Sequence, residues 1–180
     1  MAGSQPTRGR IRIAHISTVH PVDDVRIAVK ECASLAEAGY EVCLLGRPPK
    51  ATMPVLPGVA VSTLAPSGSR GRRMTLGMRD ALRAALRLDA EVYHLHDPEL
   101  IGVGMALRVA GKRVVSDVHE DLPKQILTKP WIPAAGRPAV SGLARLTERL
   151  AAAVFSGIVA ATPDIAANFP SPRTVTVQNF

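Results

Sequence analysis

IRIAHISTVHPVDDVRIAVKECASLAEAGYEVCLL, residues 11–45, is the stretch on which the fold turns. Ile11–Ile16 is a short, mostly apolar run with the length and composition of a buried strand. Val25, Ala28, Val29, Cys32, Leu35 and Ala36 follow at helical spacing, and Tyr40–Leu45 is a second strand-like run. Asp23 or Asp24 stands where a helix N-cap belongs, and Gly39 stands at C′, where left-handed backbone favours glycine. Strand, helix and strand in this order make one βαβ unit with parallel strands. The turn inside it, HISTVHPVDD at residues 15–24, contains no glycine. A glycine-rich turn lets backbone amides cradle a phosphate; this one presents Ser17, Thr18, His20, Asp23 and Asp24 instead.

The same alternation continues outward. Val59–Leu64, Glu91–Leu95, Lys112–Ser116, Gly157–Ala160 and Arg173–Val177 read as further strands. Met74–Leu88, Pro98–Val109, Pro138–Val154 and a short segment from Pro163 read as helices, three of them opening on proline. Alternating strands and helices predict an α/β fold: a Rossmann-like, doubly wound parallel sheet of about seven strands in a three-layer α/β/α arrangement. The stretches 47–58, 65–73 and 122–137, rich in Pro, Gly, Ser or Arg, are expected to be loops. Residues 1–10 are expected to form a disordered N-terminal segment, and residues 11–180 one domain.

Composition narrows the function classes. A chain of 180 residues with 47% hydrophobic content can bury a core of its own. No apolar stretch is long enough to span a bilayer and the first ten residues lack a signal-like apolar run, so a cytoplasmic protein is expected. Cys32 and Cys43, one in a helical pattern and one in a strand pattern, read as two buried thiols. The net charge of +7 favours anionic partners. Aromatic residues make up only 3% of the chain and no finger spacing occurs, which argues against nucleic acid as the partner.

In open α/β sheets ligands bind beyond the carboxyl ends of the strands, and that position sorts the five histidines. His15 and His94 fall inside predicted strands and read as satisfied core histidines; His20, His96 and His119 fall just past strand ends. YHLHDPEL, residues 93–100, offers His94, His96 and Asp97 at close spacing, but the strand ends at His96 and Pro98 opens a helix. His96 and Asp97 therefore read as the rim of a polar pocket, with Glu99 near a helix N-terminus, and no metal is expected. In VVSDVHEDLP, residues 114–123, a buried strand delivers His119 to the same edge. An imidazole there can donate to a sugar hydroxyl or, protonated, stabilise a diphosphate; the alternative is a loop histidine paired with Glu120 or Asp121.

Read in order, HISTVHPVDDVRIAVKECASLAEAGYEV, EVYHLHDPEL, GKRVVSDVHEDLP, KPWIP and IVAATPDIAANFP resemble the N-terminal domain of family 4 glycosyltransferases, which have the two-domain GT-B fold. The resemblance implies a retaining transferase that moves a sugar from a nucleotide-sugar donor to a glycan, lipid or small-molecule acceptor lying mainly against this domain. It implies that a histidine at a central strand exit, here His119, reaches the donor sugar. It also implies front-face transfer, in which the donor phosphate takes the acceptor's proton and no protein nucleophile is needed. Ser17, His20, Asp23, Asp24, Arg26, His96, Asp97, Glu120 and Lys124 are the expected substrate-binding residues. No cofactor beyond the nucleotide-sugar is expected. Many relatives carry a glycine pair in the first loop, and its lack here weakens direct diphosphate contact from that loop. Nothing resembling the donor-binding domain's paired glutamates is present, so that C-terminal domain is expected to be missing and this chain alone inactive.

Two competing readings remain at this level: a metal-dependent hydrolase using His94, His96, Asp97 and His119, and a non-catalytic Rossmann-like binding module. A further surface feature is basic. Arg79, Arg83 and Arg87 recur every fourth residue beside Leu82 and Leu86, after Arg70, Arg72 and Arg73. That pattern fits peripheral docking on the anionic inner face of a membrane, and equally a solvated helix face.

Overall fold

A computed structural model of the chain describes residues 10–53, 55–65 and 73–178. Seven strands form one sheet: β1 (Arg12–Pro21), β2 (Glu41–Arg47), β3 (Val59–Thr63), β4 (Val92–Leu95), β5 (Arg113–Val118), β6 (Gly157–Ala160) and β7 (Thr174–Thr176). They lie in the order β3-β2-β1-β4-β5-β6-β7, and every neighbouring pair is parallel. The order reverses direction between β1 and β4, and an open α/β sheet forms its ligand crevice at such a switch. The expected disordered segment, apart from Arg10, lies outside the described residues, as do Arg70 and Arg72.

Helix α1 lies on one face of the sheet. It runs over Val25–Cys32 with π winding and continues as α-helix over Ala33–Glu37. The wider turn shows at its junction, where the Ala33 amide bonds to the Ala28 carbonyl five residues back. Ile27, Ala28 and Cys32 bury against Val22, Val42 and Leu44 of the first βαβ unit, and Gly39 ends the helix at φ +93°. Asp24 is the N-cap: its side chain accepts from the Ile27 amide. Asp23 turns the other way and accepts from the Lys50 and Ala51 amides, fixing the loop after β2.

The opposite face is covered by α2 (Arg73–Gly77 with π winding, then Met78–Leu88), α3 (Pro98–Leu100 as a 3₁₀ turn, then Ile101–Val109) and α5 (Ala134–Gly136, then Arg137–Val154). Ala81, Ala85, Leu100, Val103, Leu107 and Ala151 from these helices, with Phe155 just after α5, pack on Ala14, Ile16, Tyr93, Leu95 and Val114 of the strands. Along β1, alternation sends Ala14 and Ile16 to this apolar layer and His15 to the α1 side. A short α6 (Pro163–Ala166) closes the β6 end.

Three expectations change. First, β1 does not end at Ile16 but runs to Pro21, with a register shift after Ile16 before Pro21 pairs with Arg47, so His20 stands on the strand's last turn of pairing and not in a free loop. Ser17, Thr18 and His20 stay extended because their polar groups find buried partners, described below. Second, residues 122–128 of the expected long loop form a helix, α4 (Leu122–Thr128). Asp121 caps it by accepting from the Lys124 amide, and Pro123 sits in its first turn, where a missing N–H costs nothing. Third, His15 and His94 are not satisfied core histidines: Nε2 of each is buried without a hydrogen-bond partner.

Candidate active site

The glycine-free turn folds around an anion, and the anion belongs to the protein. Asp97, which follows β4, is 4% exposed. Its Oδ2 accepts from the Thr18 amide at 2.6 Å, the Ser17 hydroxyl at 2.9 Å and the Val19 amide at 3.2 Å. Ser17 Oγ in turn accepts from the His20 amide at 2.7 Å, and the Thr18 hydroxyl donates to Glu99 at 2.6 Å. Burial pushes the Asp97 carboxyl up, opposed by the bonds from Thr18 and Ser17. Amides that a glycine nest would turn toward a ligand are thus spent on Asp97, and His20 is carried to the strand edge with its Nδ1 3.2 Å from Asp24.

One strand over, Asp117 of β5 is the hub. Its fully buried carboxylate accepts from Arg26 at 3.0 and 3.2 Å and faces His96 Nδ1 at 3.2 Å and His119 Nε2 at 3.3 Å. His119 stacks on His96 with ring centroids 6.0 Å apart and planes 8° apart, and meets His20 edge-on at 6.1 Å. Burial lowers the His119 imidazole below its ordinary value, against the pull of the Asp117 carboxylate. With Nε2 turned toward Asp117, the other ring nitrogen of His119 is Nδ1. His96, His94 and His15 are pushed well below the ordinary imidazole value, chiefly by burial and then by neighbouring histidines and, for His96, Arg26. Glu31 of α1 completes the enclave: burial and the Asp117 carboxylate push it up to about 8, against the pull of Arg26, whose Nε lies 3.1 Å away.

A cavity of about 160 Å³ opens at the carboxyl ends of β4 and β5, against α5 and the segment after α6. Of the expected residues, His20, His96, Asp97, His119 and Glu120 line it. Ser17 lies behind Asp97, Asp23 holds the loop after β2, and Asp24 caps α1. Arg26 is committed to Asp117 and Glu31, while Lys124 is 72% exposed and pairs with Asp121 at 2.9 Å. Sequence reasoning did not single out Asp117, Glu148 or Phe169, which also form the wall. Asp117 had a signal, two residues before His119 on the same strand; Glu148, on a helix charged on several sides, had none. Burial and then the Asp121 carboxylate push Glu148 up to about 7.

Among the described residues the hydrolase set His94, His96, Asp97 and His119 does not form one ligand group: Asp97 Oδ2 is taken by the Ser17, Thr18 and Val19 donors of the β1 turn. Among the described residues two other groups place ligand atoms within 4.8 Å of one another: His15, Glu31, His94 and His96; and His96, Asp117 and His119. Among the described residues no helix is long and apolar enough to cross a membrane.

The family described as "Glycosyl transferase 4-like domain" matches residues 25–179. No curated protein matches the chain in sequence. Among solved structures, sucrose-phosphate synthase from Thermosynechococcus elongatus is similar at a TM-score of 0.66 and 17% identity, over 94% of this chain and 48% of that one. The catalytic domain of starch synthase IV from Arabidopsis thaliana, bound to ADP and acarbose, is similar at 0.58 and 10%, over 94% and 51%. A UGT transferase from Siraitia grosvenorii in complex with UDP is similar at 0.56 and 11%, over 93% and 51%. The chain spans about half the length of these three structures.

Proposed function

From the premise that this chain belongs to the glycosyl transferase 4-like domain family, and has the Rossmann-like fold of GT-B glycosyltransferases, we propose that it is the acceptor-side half of a retaining glycosyltransferase. It would act on a nucleotide-sugar donor and a glycan, lipid or small-molecule acceptor. The nucleotides in the starch synthase and UGT structures support the donor class.

The observation that carries the reading is His119, 3.3 Å from Asp117 and lining a cavity at the carboxyl edge of the sheet. In the proposed reaction the bond from the sugar's anomeric carbon to the diphosphate breaks. A new bond to the acceptor oxygen forms on the same face, and the acceptor's proton passes to the departing phosphate oxygen. His119 Nδ1 accepts from a donor-sugar hydroxyl, fixing the ring as charge develops, while His20 and Glu120 offer hydrogen bonds to acceptor hydroxyls. A donor-holding second domain supplies the groups that bind the diphosphate. Ser17, Asp23, Asp24, Arg26 and Lys124 act in this scheme through the residues they hold or from the outer rim. The arginines Arg79, Arg83 and Arg87, exposed on α2, form the surface proposed for peripheral contact with an anionic membrane at the cytoplasmic face.

The test is His119→Ala in the complete, two-domain enzyme. Turnover should fall about a hundredfold, as on loss of one preorganised partner of the transition state, with the thermal unfolding midpoint unchanged. Near-normal turnover removes His119 from the mechanism.

A further inference from the structure

Behind the cavity wall, on the α1 side of the sheet, three side chains aim ligand atoms at one point. His15 and His94 are Cα partners on β1 and β4, His96 follows two residues after His94, and Glu31 reaches down from α1. His15 Nδ1 and His96 Nε2 lie 3.0 Å apart, and Glu31 Oε2 lies 3.7 Å from the first and 3.8 Å from the second. The last two separations exceed a hydrogen bond, and Glu31 Oε2 is buried with no partner. They do match co-ligands of one ion, since a tetrahedral zinc site with bonds of about 2.1 Å sets its ligand atoms about 3.4 Å apart. Only the His15–His96 edge must widen, by a few tenths of an ångström.

Orientation and charge agree. His96 turns Nδ1 to the Asp117 carboxylate at 3.2 Å, which leaves the Nε2 lone pair facing His15 and Glu31. A ligating histidine characteristically gives its other ring N–H to a carboxylate, and that contact fixes its tautomer. The enclave sets two carboxyls, Glu31 and Asp117, against the single guanidinium of Arg26, and a bound divalent cation would take the place of the proton that Glu31 otherwise holds. His94, whose ring lies 4.8 Å from His96 and 4.7 Å from His15, has its Nε2 buried and unpartnered. We propose that His15, His96 and Glu31 bind one zinc ion, with His94 as the fourth ligand, and that this closed structural site ties β1, β4 and α1 together beneath the cavity.

The site is distinct from the hydrolase arrangement considered above: Asp97 and His119 are not ligands and no open position faces substrate. It does not depend on the glycosyl-transfer reading, and its test needs no activity. The full chain, expressed with zinc and purified without chelator, is assayed for metal by elemental mass spectrometry, then stripped and titrated with zinc or cobalt(II). One ion per chain, a higher unfolding midpoint on zinc addition and the intense visible bands of tetrahedral cobalt are expected. Glu31→Gln should weaken zinc binding by more than tenfold, and Asp117→Asn by about 10–100-fold through loss of the histidine's orienting partner. His119→Gln should leave the affinity unchanged. Zinc binding weaker than about 10 μM, or an octahedral cobalt spectrum, overturns the proposal even where a variant fails to fold. So does an affinity that survives Glu31→Gln but is lost with His119→Gln, because the ion then sits in the cavity.

Discussion

Glu148 shows how a single carboxyl in the cavity wall makes stability depend on pH. Its folded pKa, pushed up to about 7 by burial and by Asp121, lies above the ordinary glutamate value of about 4.3. Between those two values the folded chain binds more protons than the unfolded one, so stability from this group is fully present at low pH and falls as pH rises through 7. Glu148→Gln removes that loss. Because the carboxyl is partly exposed, solvent screening keeps the gain to about 1 kcal/mol at about pH 8, with little gain at about pH 4. Urea unfolding at the two pH values measures it, and an advantage for the variant that does not grow with pH would contradict the assignment. Asp97 teaches the complementary point: a carboxylate in a row of ligand types is here a structural anion that shapes the β1 turn.

Among the elements, α3 owes its position to one missing side chain. A Cβ at Gly104 would collide with Phe155 Cζ and come within 2.8 Å of Leu95 Cδ1, both in the buried layer between α3, α5 and β4. Gly104→Ala should therefore cost about 1–3 kcal/mol despite alanine's better helix propensity. A urea midpoint at or above that of the unmodified chain would show that Phe155 moves aside freely. Helix α2 carries the other element-scale prediction. Arg79 and Arg83 are 57% and 59% exposed and both lie near Asp80, at 3.6 and 4.0 Å, so one acid only partly offsets the basic face. Sedimentation with anionic vesicles at low salt, absent with neutral vesicles and lost when Arg79, Arg83 and Arg87 are changed to Gln, is the expected result. No binding to anionic vesicles at low salt disposes of the membrane contact and leaves a solvated helix face.

For the whole molecule the cavity is one wall of the proposed transfer site. Its carboxyl edge carries three histidines and several carboxyls, and the amides of its first turn are committed to Asp97. Arg26, which pairs with Asp117 of the cavity wall, is also committed to Glu31. Among the described residues lining the cavity there is no Lys or Arg side chain to clamp a diphosphate, and the first-turn amides are already taken. We therefore predict that residues 1–180 alone fold, show no sugar transfer and bind nucleoside diphosphates more weakly than about 100 μM. Calorimetry against UDP, GDP and ADP is the measurement. Binding at about 1 μM or tighter would mean this domain holds a nucleotide site of its own and would reverse the donor and acceptor sides.

What the sequence by itself determined is periodic and local. Strand runs, helical spacing, an N-cap at Asp23 or Asp24, Gly39 at a helix end and prolines at helix starts are set by neighbours within a few residues, so the parallel α/β order could be read off the chain. Residues at strand ends could also be named, since alternation and element length fix which side chains reach the sheet edge. Tertiary structure alone decided what those side chains do. The Ser17–Asp97 bond spans 80 positions and the Arg26–Asp117 pair 91, distances over which sequence carries no pattern. Hence Asp117 as the hub, Asp97 as an internal anion, Glu31 set against His15 and His96, and helix α4 within a proline-rich stretch emerged only in three dimensions. Each depends on which strand becomes the neighbour of β1, and that neighbour is fixed by packing of the whole sheet.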